Sequence, residues 1–136
     1  MRLILSIPIL APVIAAYNVF AFYGGMLDAE SLLASWVLPS ETEVFFKIGD
    51  VFIVAGLIAL FFEILKAARP AAGTIIDHML STAVFIVALI EFLLVPACGT
   101  VAFFLLMVMA LIDVVGGFTI SIHGARRDYT VSRDGL

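Results

Sequence analysis

Four long apolar stretches alternate with short polar segments along the chain. The apolar stretches lie at about residues 3–23, 44–67, 74–95 and 100–122. Each is long enough to cross the hydrocarbon core of a bilayer as a helix, which takes about 20 apolar residues. None alternates apolar and polar positions as the strands of a membrane barrel do. The pattern predicts an all-α integral membrane four-helix bundle, with residues 1–136 as a single transmembrane domain.

The polar segment after the first stretch contains two further helix signals. Residues 28–38 start with Asp28, a candidate N-cap, and continue with apolar residues that include Trp36. This composition favours a short helix lying in the membrane interface, with an ordinary ordered loop as the alternative. Ser40 and Glu43 have the spacing of a capping box, which predicts that the second helix begins between them.

Composition excludes an ordinary soluble domain. The chain is 64% hydrophobic and 13% charged, with a mean hydropathy of +1.23. Soluble domains have about a quarter of their residues charged, enough to cover their surface with groups that water solvates. The first apolar stretch is too long for a signal peptide and lacks a convincing cleavage site, so we interpret it as a retained helix.

The basic residues predict an orientation. Lys and Arg collect in cytoplasmic segments, and all but one of the basic residues lie before the first span, between the second and third, or after the fourth. Both termini, including the tail at residues 124–136, should therefore be cytoplasmic. The acidic segment between the first two spans should face outward. The basic tail is short and lacks interleaved aromatic residues, so no nucleic-acid partner is expected.

Polar and ionisable residues inside the predicted spans are the candidate functional positions, because burying such groups in lipid is costly. They are possible intramembrane polar or proton sites: Asn18, Glu63, Asp77, His78, Glu91 and Asp113.

Small and polar residues also recur on one face of each predicted helix. Gly49, Gly56 and Glu63 show this in the second span, and Ala11, Ala15 and Asn18 show it in the first. Small residues let helices approach closely in lipid, so these stripes should face inward.

Three interpretations of the membrane acids remain open at this point. They are proton or cation sites, structural hydrogen-bonding groups that specify helix pairing, or partners for an Arg or Lys of another protein. Asp113 lies deepest and is expected to be neutral or hydrogen-bonded. Lys66 can either approach Glu63 or extend to the surface. Glu91, at the outer edge of the third span, can reach Lys47.

No metal, cofactor or catalytic group is expected. Asp77 and His78 are adjacent on a helix, so their side chains diverge by about 100° and do not chelate as a pair. Glu63 and His78 flank the same turn, and a shared ion there is only weakly supported. Cys98 has no partner cysteine and no metal-ligand spacing, which favours a small buried residue.

The runs "LFFEILKAARPAAGTIIDHMLSTAVFIVALIEFLLV" and "FFLLMVMALIDVVGGFTISIHGARRD" resemble a group of uncharacterised small four-span membrane proteins of alphaproteobacteria. The resemblance covers the second to fourth spans. It implies a multi-pass protein of the bacterial cytoplasmic (inner) membrane, and it brings no activity, cofactor or site residue with it.

Little mass lies outside the predicted spans, and no catalytic constellation is visible. We therefore expect a non-enzymatic accessory or assembly subunit of a larger inner-membrane complex. The alternative is a proton- or cation-coupled small transporter or channel that acts as a homo-oligomer, because four helices rarely enclose a pathway alone. The expected partners are the lipid bilayer and either another membrane protein or further copies of this chain.

Overall fold

The computed structural model describes residues 7–24, 28–68 and 75–134. This part of the chain is mostly helical, as predicted. Its elements, in chain order, are α1 (Leu10–Tyr23), β1 (Leu32–Val37), β2 (Glu43–Lys47), α2 (Ile48–Ala67), α3 (Ile75–Leu94), a 3-10 turn (Pro96–Cys98) and α4 (Val101–Asp134).

Three of the helices are long and apolar enough to cross a membrane, namely Ile48–Ala67, Ile76–Leu94 and Val101–Ile120. They correspond to the predicted second, third and fourth spans. The described part of α1 is equally apolar but has 14 residues, fewer than a crossing helix needs. The first six residues of the chain, most of which belong to the predicted first span, lie outside the described residues.

Helix α4 is the centre of the bundle. It packs more extensively against α2 and α3 than those two consecutive helices pack against each other, and α1 packs mainly on α2. A glycine makes the close contact between α2 and α4 possible. A Cβ atom at Gly56 would lie 2.6 Å from Leu106 Cδ2 and 2.8 Å from Met109 Sδ. The small residue therefore allows the approach of these two helices.

The inward-facing stripes are confirmed in one helix and wrong in another. In α2, Gly49, Gly56 and Glu63 are all buried. In α1 the predicted stripe is wrong at Ala15, which is exposed. The buried residues of α1 are instead large: Leu10, Ile14 and Tyr17. The reason is an aromatic contact, because the Tyr17 ring packs 5.2 Å from Phe52 and 5.1 Å from Phe103.

The predicted interfacial helix at residues 28–38 is wrong, because residues 32–37 form strand β1. This strand pairs antiparallel with β2, with Trp36 opposite Val44 and Ala34 opposite Phe46. Aromatic and β-branched residues favour this pairing on both strands. The backbone N–H of Leu38 donates to the Thr42 carbonyl oxygen at 2.9 Å and closes the turn. The apolar spacing of β1 suits either structure, and the partner strand decides between them.

The second helix also starts later than predicted, because residues 44–47 belong to β2 and α2 begins at Ile48. Its cap is Asp50, whose Oδ2 accepts the backbone N–H of Lys47 at 2.7 Å. The expected capping box of Ser40 and Glu43 is absent, because Glu43 lies in a strand.

Two further boundaries differ from the prediction. Residues 7–9 of the predicted first span are not helical, and α1 begins at Leu10. Pro12 lies in the first turn of α1, where its missing N–H costs no helical hydrogen bond, while its ring disfavours helix at the preceding residues. At the other end of the chain, α4 continues through the predicted tail to Asp134.

Candidate functional site

Four of the six predicted site residues line one cleft between helices. They are Glu63 on α2, Asp77 and His78 on α3, and Asp113 on α4. We name this site the polar cleft; its full lining is Glu63, Lys66, Ala67, Asp77, His78, Ser81, Asp113 and Gly117. The cleft has a volume of about 20 Å³, which is room for about one water molecule. It therefore suits a proton or a single water better than an organic substrate.

Glu63 is the most firmly held acid of the cleft. Its side chain accepts the backbone N–H of Ile9 on Oε2 at 2.6 Å and the Lys66 ammonium on Oε1 at 2.9 Å. Ile9 precedes the first residue of α1, where backbone N–H groups lack helical acceptors and the helix dipole favours an anion. Glu63 is only 6% exposed. Through these two hydrogen bonds it joins the start of α1 to the end of α2.

Asp113 forms a second contact between helices. It is buried in α4 and lines the cleft together with the buried Ser81 of α3. That the deepest acid is neutral or hydrogen-bonded stays a prediction. Ser81 follows Asp77 by four residues, so both lie on the same face of α3. The contact joins α3 to α4.

His78 lies at the edge of the cleft against α4. Its imidazole stacks on the Phe118 ring, with ring centroids 4.9 Å apart and an interplanar angle of 25°. A Cβ atom at Gly117 would come 2.9 Å from His78 Nδ1, so the glycine provides the space for the ring. His78 is half-buried, and it places a group that can exchange protons next to the two buried acids.

The polar cleft lies a short distance inside one end of the bundle. Glu63 is four residues from the end of α2, about 6 Å along the helix axis. Asp113 is seven residues before Ile120, where the apolar part of α4 ends, or about 10 Å. Lys66, one turn beyond Glu63, is close enough to the helix end for its ammonium to lie near the surface.

The other two predicted site residues bind each other near the opposite end of the bundle. The Asn18 amide on α1 donates to both carboxyl oxygens of Glu91 on α3, each at 2.8 Å. The buried thiol of Cys98 donates to Asn18 Oδ1 at 3.5 Å. The predicted contact between Glu91 and Lys47 is wrong, because Lys47 forms an ion pair with Glu30 at the base of the hairpin.

Tyr17 and Thr100 form a further polar contact at this end. The Tyr17 hydroxyl is hydrogen-bonded to the Thr100 hydroxyl, which also accepts the backbone N–H of Phe103 at 3.1 Å as the N-cap of α4. Tyr17 is fully buried. The contact therefore fixes α1 against the first turn of α4.

Not every member of these contacts stands out in the sequence. The Ile9 N–H has no side-chain signal, whereas Ser81 and Gly117 share the polar stripes that the helical spacing predicts for the third and fourth spans. One available signal is spacing, because Ser81 lies four residues from Asp77 and Gly117 lies four residues from Asp113. Lys66 lies three residues from Glu63, which places both on one helix face.

These groups can form hydrogen bonds and exchange protons. Among the described residues, no group of three or more His, Cys, Asp or Glu side chains could hold a metal ion. The suggested ion shared by Glu63 and His78 therefore has no complete ligand set in this part of the chain.

Comparison of the chain with protein-family models, with curated proteins and with solved structures finds no match.

Proposed function

We propose that the protein is a multi-pass protein of the bacterial inner membrane, with four spans and both termini cytoplasmic. Three helices of crossing length and the distribution of Lys and Arg support this placement. The contacts of α1 support a fourth span. Its start meets Glu63 at the end of α2, and Asn18 meets Glu91 near the opposite end of the bundle.

Single cysteines test this topology. In a Cys98→Ala background, Ser40→Cys in the hairpin turn and Arg133→Cys near the C-terminus should react with an impermeant thiol reagent from opposite sides of the membrane. Labelling of both positions from the periplasmic side would contradict the proposed orientation.

Within the membrane, the protein acts as a non-enzymatic accessory or assembly subunit of a larger complex. The supporting observation is that its intramembrane polar groups are used inside the chain, as contacts between helices. Glu63 joins α1 to α2 and Asn18 joins α1 to α3 through Glu91, while Asp113 on α4 is buried beside Ser81 of α3 in the polar cleft. Such contacts specify one arrangement of the bundle. Large apolar side chains cover its outer surface and remain available to lipid and to neighbouring helices.

The polar cleft favours a second candidate function, a proton- or cation-coupled transporter or channel formed by several copies of the chain. Two buried acids, an imidazole and an ammonium surround a space for about one water. A proton can move between such groups through a single water molecule, and ionisable groups inside membranes often mark such routes.

One pair of measurements separates the two functions. A tagged chain is purified from its native membrane in mild detergent, and its ion flux is measured after reconstitution into proteoliposomes. An accessory subunit should co-purify with another protein at fixed stoichiometry and carry no flux. A transporter should run as a self-oligomer and acidify the vesicles.

The Asp113→Asn variant sharpens this test. Asparagine keeps the size of aspartate and can still accept a hydrogen bond, but it cannot carry a proton. An accessory subunit should keep its partner in this variant, whereas a transporter should stay assembled and lose its flux. The matched control is Glu41→Gln in the exposed hairpin turn, which should change neither. Full flux by Asp113→Asn would exclude Asp113 as the proton carrier, absence of flux in the unmodified protein would contradict the transport function, and purification without any partner would contradict the accessory function.

A further inference from the structure

The β1–β2 hairpin has two faces of different chemistry. Residues opposite each other in an antiparallel pair share a face, as do residues two apart on a strand. The register therefore places Ala34, Trp36, Val44 and Phe46 on one face, which is entirely apolar. The other face contains Ser35 and Glu43, together with Val37 and Phe45.

The hairpin is fixed to the first turn of α2. Strand β2 ends at Lys47 and α2 begins at the next residue. The backbone N–H groups of Ile48 and Gly49 donate to the carbonyl oxygens of Ser31 and Ala29 at 3.0 and 2.8 Å. A side chain at Gly49 would come 2.9 Å from that Ala29 oxygen, so the junction is closely packed. The hairpin is thereby held at the level where α2 begins its apolar run.

Within the described residues, the rest of the chain leaves the apolar face uncovered. Trp36 is 72% exposed and Phe46 is 45% exposed. An isolated two-stranded hairpin is marginally stable in water, and a contiguous exposed apolar face indicates a contact with lipid or protein.

We propose that the hairpin lies in the headgroup region of the bilayer, with its apolar face turned toward the acyl chains and the face bearing Glu43 turned toward water. This inference rests on the proposed membrane location. Lipid is the favoured partner of the apolar face because the hairpin is hydrogen-bonded to the first turn of α2, a proposed membrane-crossing helix. The position of α2 therefore sets the depth of the hairpin in the membrane. Tryptophan is also enriched at this depth, where its ring meets apolar chains and its N–H meets water.

The experiment uses Trp36 as its own probe, because it is the one tryptophan of the chain. The purified full chain is reconstituted into lipid nanodiscs. Emission is then measured with lipids brominated near the headgroup end of the acyl chain, with lipids brominated near the chain terminus, and with aqueous iodide. We expect loss of most of the Trp36 emission with the shallow bromines, a smaller loss with the deep bromines and little loss with iodide.

A second variant reports on membrane residence separately. Leu57 is 53% exposed on α2 and lies nine residues into the helix, about 14 Å from its start and so near the middle of the bilayer. Leu57→Trp in a Trp36→Phe background should be quenched most by the deep bromines. If neither tryptophan responds to brominated lipid, the membrane location itself is wrong.

Two outcomes would overturn the hairpin proposal while Leu57→Trp reports a membrane helix. Quenching of Trp36 by iodide and not by brominated lipid would place the hairpin in water. Protection of Trp36 from both quenchers would mean that protein covers it, and in this preparation that protein is a second copy of the chain.

Discussion

Glu63 should be the acid whose loss destabilises the bundle most, because it satisfies two donors on two helices. In Glu63→Ala, the backbone N–H of Ile9 and the ammonium of Lys66 both lose their acceptor. Lys66 lies one residue from the end of α2, and its ammonium can extend to the surface and be solvated there, so the loss of its acceptor is partly recovered. The Ile9 N–H has no such freedom. A buried donor left unsatisfied costs about 1–3 kcal/mol. Because this hydrogen bond is only part-buried, we expect Glu63→Ala to lower the free energy of unfolding by about 1 kcal/mol.

The conservative variant should cost less. Glu63→Gln keeps a carbonyl oxygen for the Ile9 N–H but turns an amide donor toward Lys66. Hydrogen bonds between membrane helices average about 0.6 kcal/mol, and we expect a loss near that value. Glu41→Gln, at an exposed position in the hairpin turn, is the control and should have almost no effect.

The measurement is reversible unfolding in mixed micelles of SDS and a mild detergent, followed by far-ultraviolet circular dichroism. The expected order of destabilisation is Glu63→Ala, then Glu63→Gln, then the control. If Glu63→Ala has the same free energy of unfolding as Glu41→Gln, the contact between the start of α1 and the end of α2 contributes nothing to stability. The structural account of Glu63 would then be wrong.

Three further predictions concern packing and the segments outside the spans. Gly56→Ala should destabilise the bundle by about 1–3 kcal/mol through overpacking. At Gly116 an added Cβ meets no atom within 4 Å, so Gly116→Ala should be neutral or stabilise the helix by up to about 1 kcal/mol through its propensity. Equal effects of the two variants in the same unfolding assay would contradict the close packing at Gly56. Burial raises the pKa of the Cys98 thiol, so a thiol reagent should label the folded protein slowly near neutral pH and rapidly after unfolding, and rapid labelling of folded protein would disagree. The hydrogen bond and charge of Glu30 raise the pKa of Lys47. The ion pair therefore stabilises the fold below the ordinary pKa of lysine, and this stability is lost as pH rises through the raised value. Glu30→Gln should lower the pKa of Lys47 measured by NMR, and an unchanged value would exclude the ion pair in solution.

The elements of the bundle could be predicted from the sequence where one physical requirement dominates. Crossing a bilayer requires about 20 apolar residues in a helix, and α2, α3 and the apolar part of α4 follow the predicted runs within a few residues. Proline and glycine at residues 96 and 99 mark the turn between α3 and α4 for an equally local reason. The close approach of helices at Gly56 could also be predicted, because Gly49 and Gly56 are seven residues apart and fall on one helix face.

The hairpin could not be predicted, because its strands depend on each other. Residues such as Trp36 and Val37 suit an interfacial helix as well as a strand. A strand gains its hydrogen bonds only from a neighbour, here β2 beyond a turn. Once Val44 and Phe46 form that neighbour, they are no longer available to extend α2 toward its N-terminus.

The sequence by itself thus determined the helices and the presence of acids among them, because both follow from local composition and the thickness of a bilayer. Only the tertiary structure decided which groups those acids meet. Asn18 and Glu91 are 73 residues apart in the chain, and Ile9 and Glu63 are 54 apart. Their contacts depend on how each helix is rotated and on the central position of α4. Those properties come from the fit of side chains across several helices at once, and no single stretch of the sequence contains them.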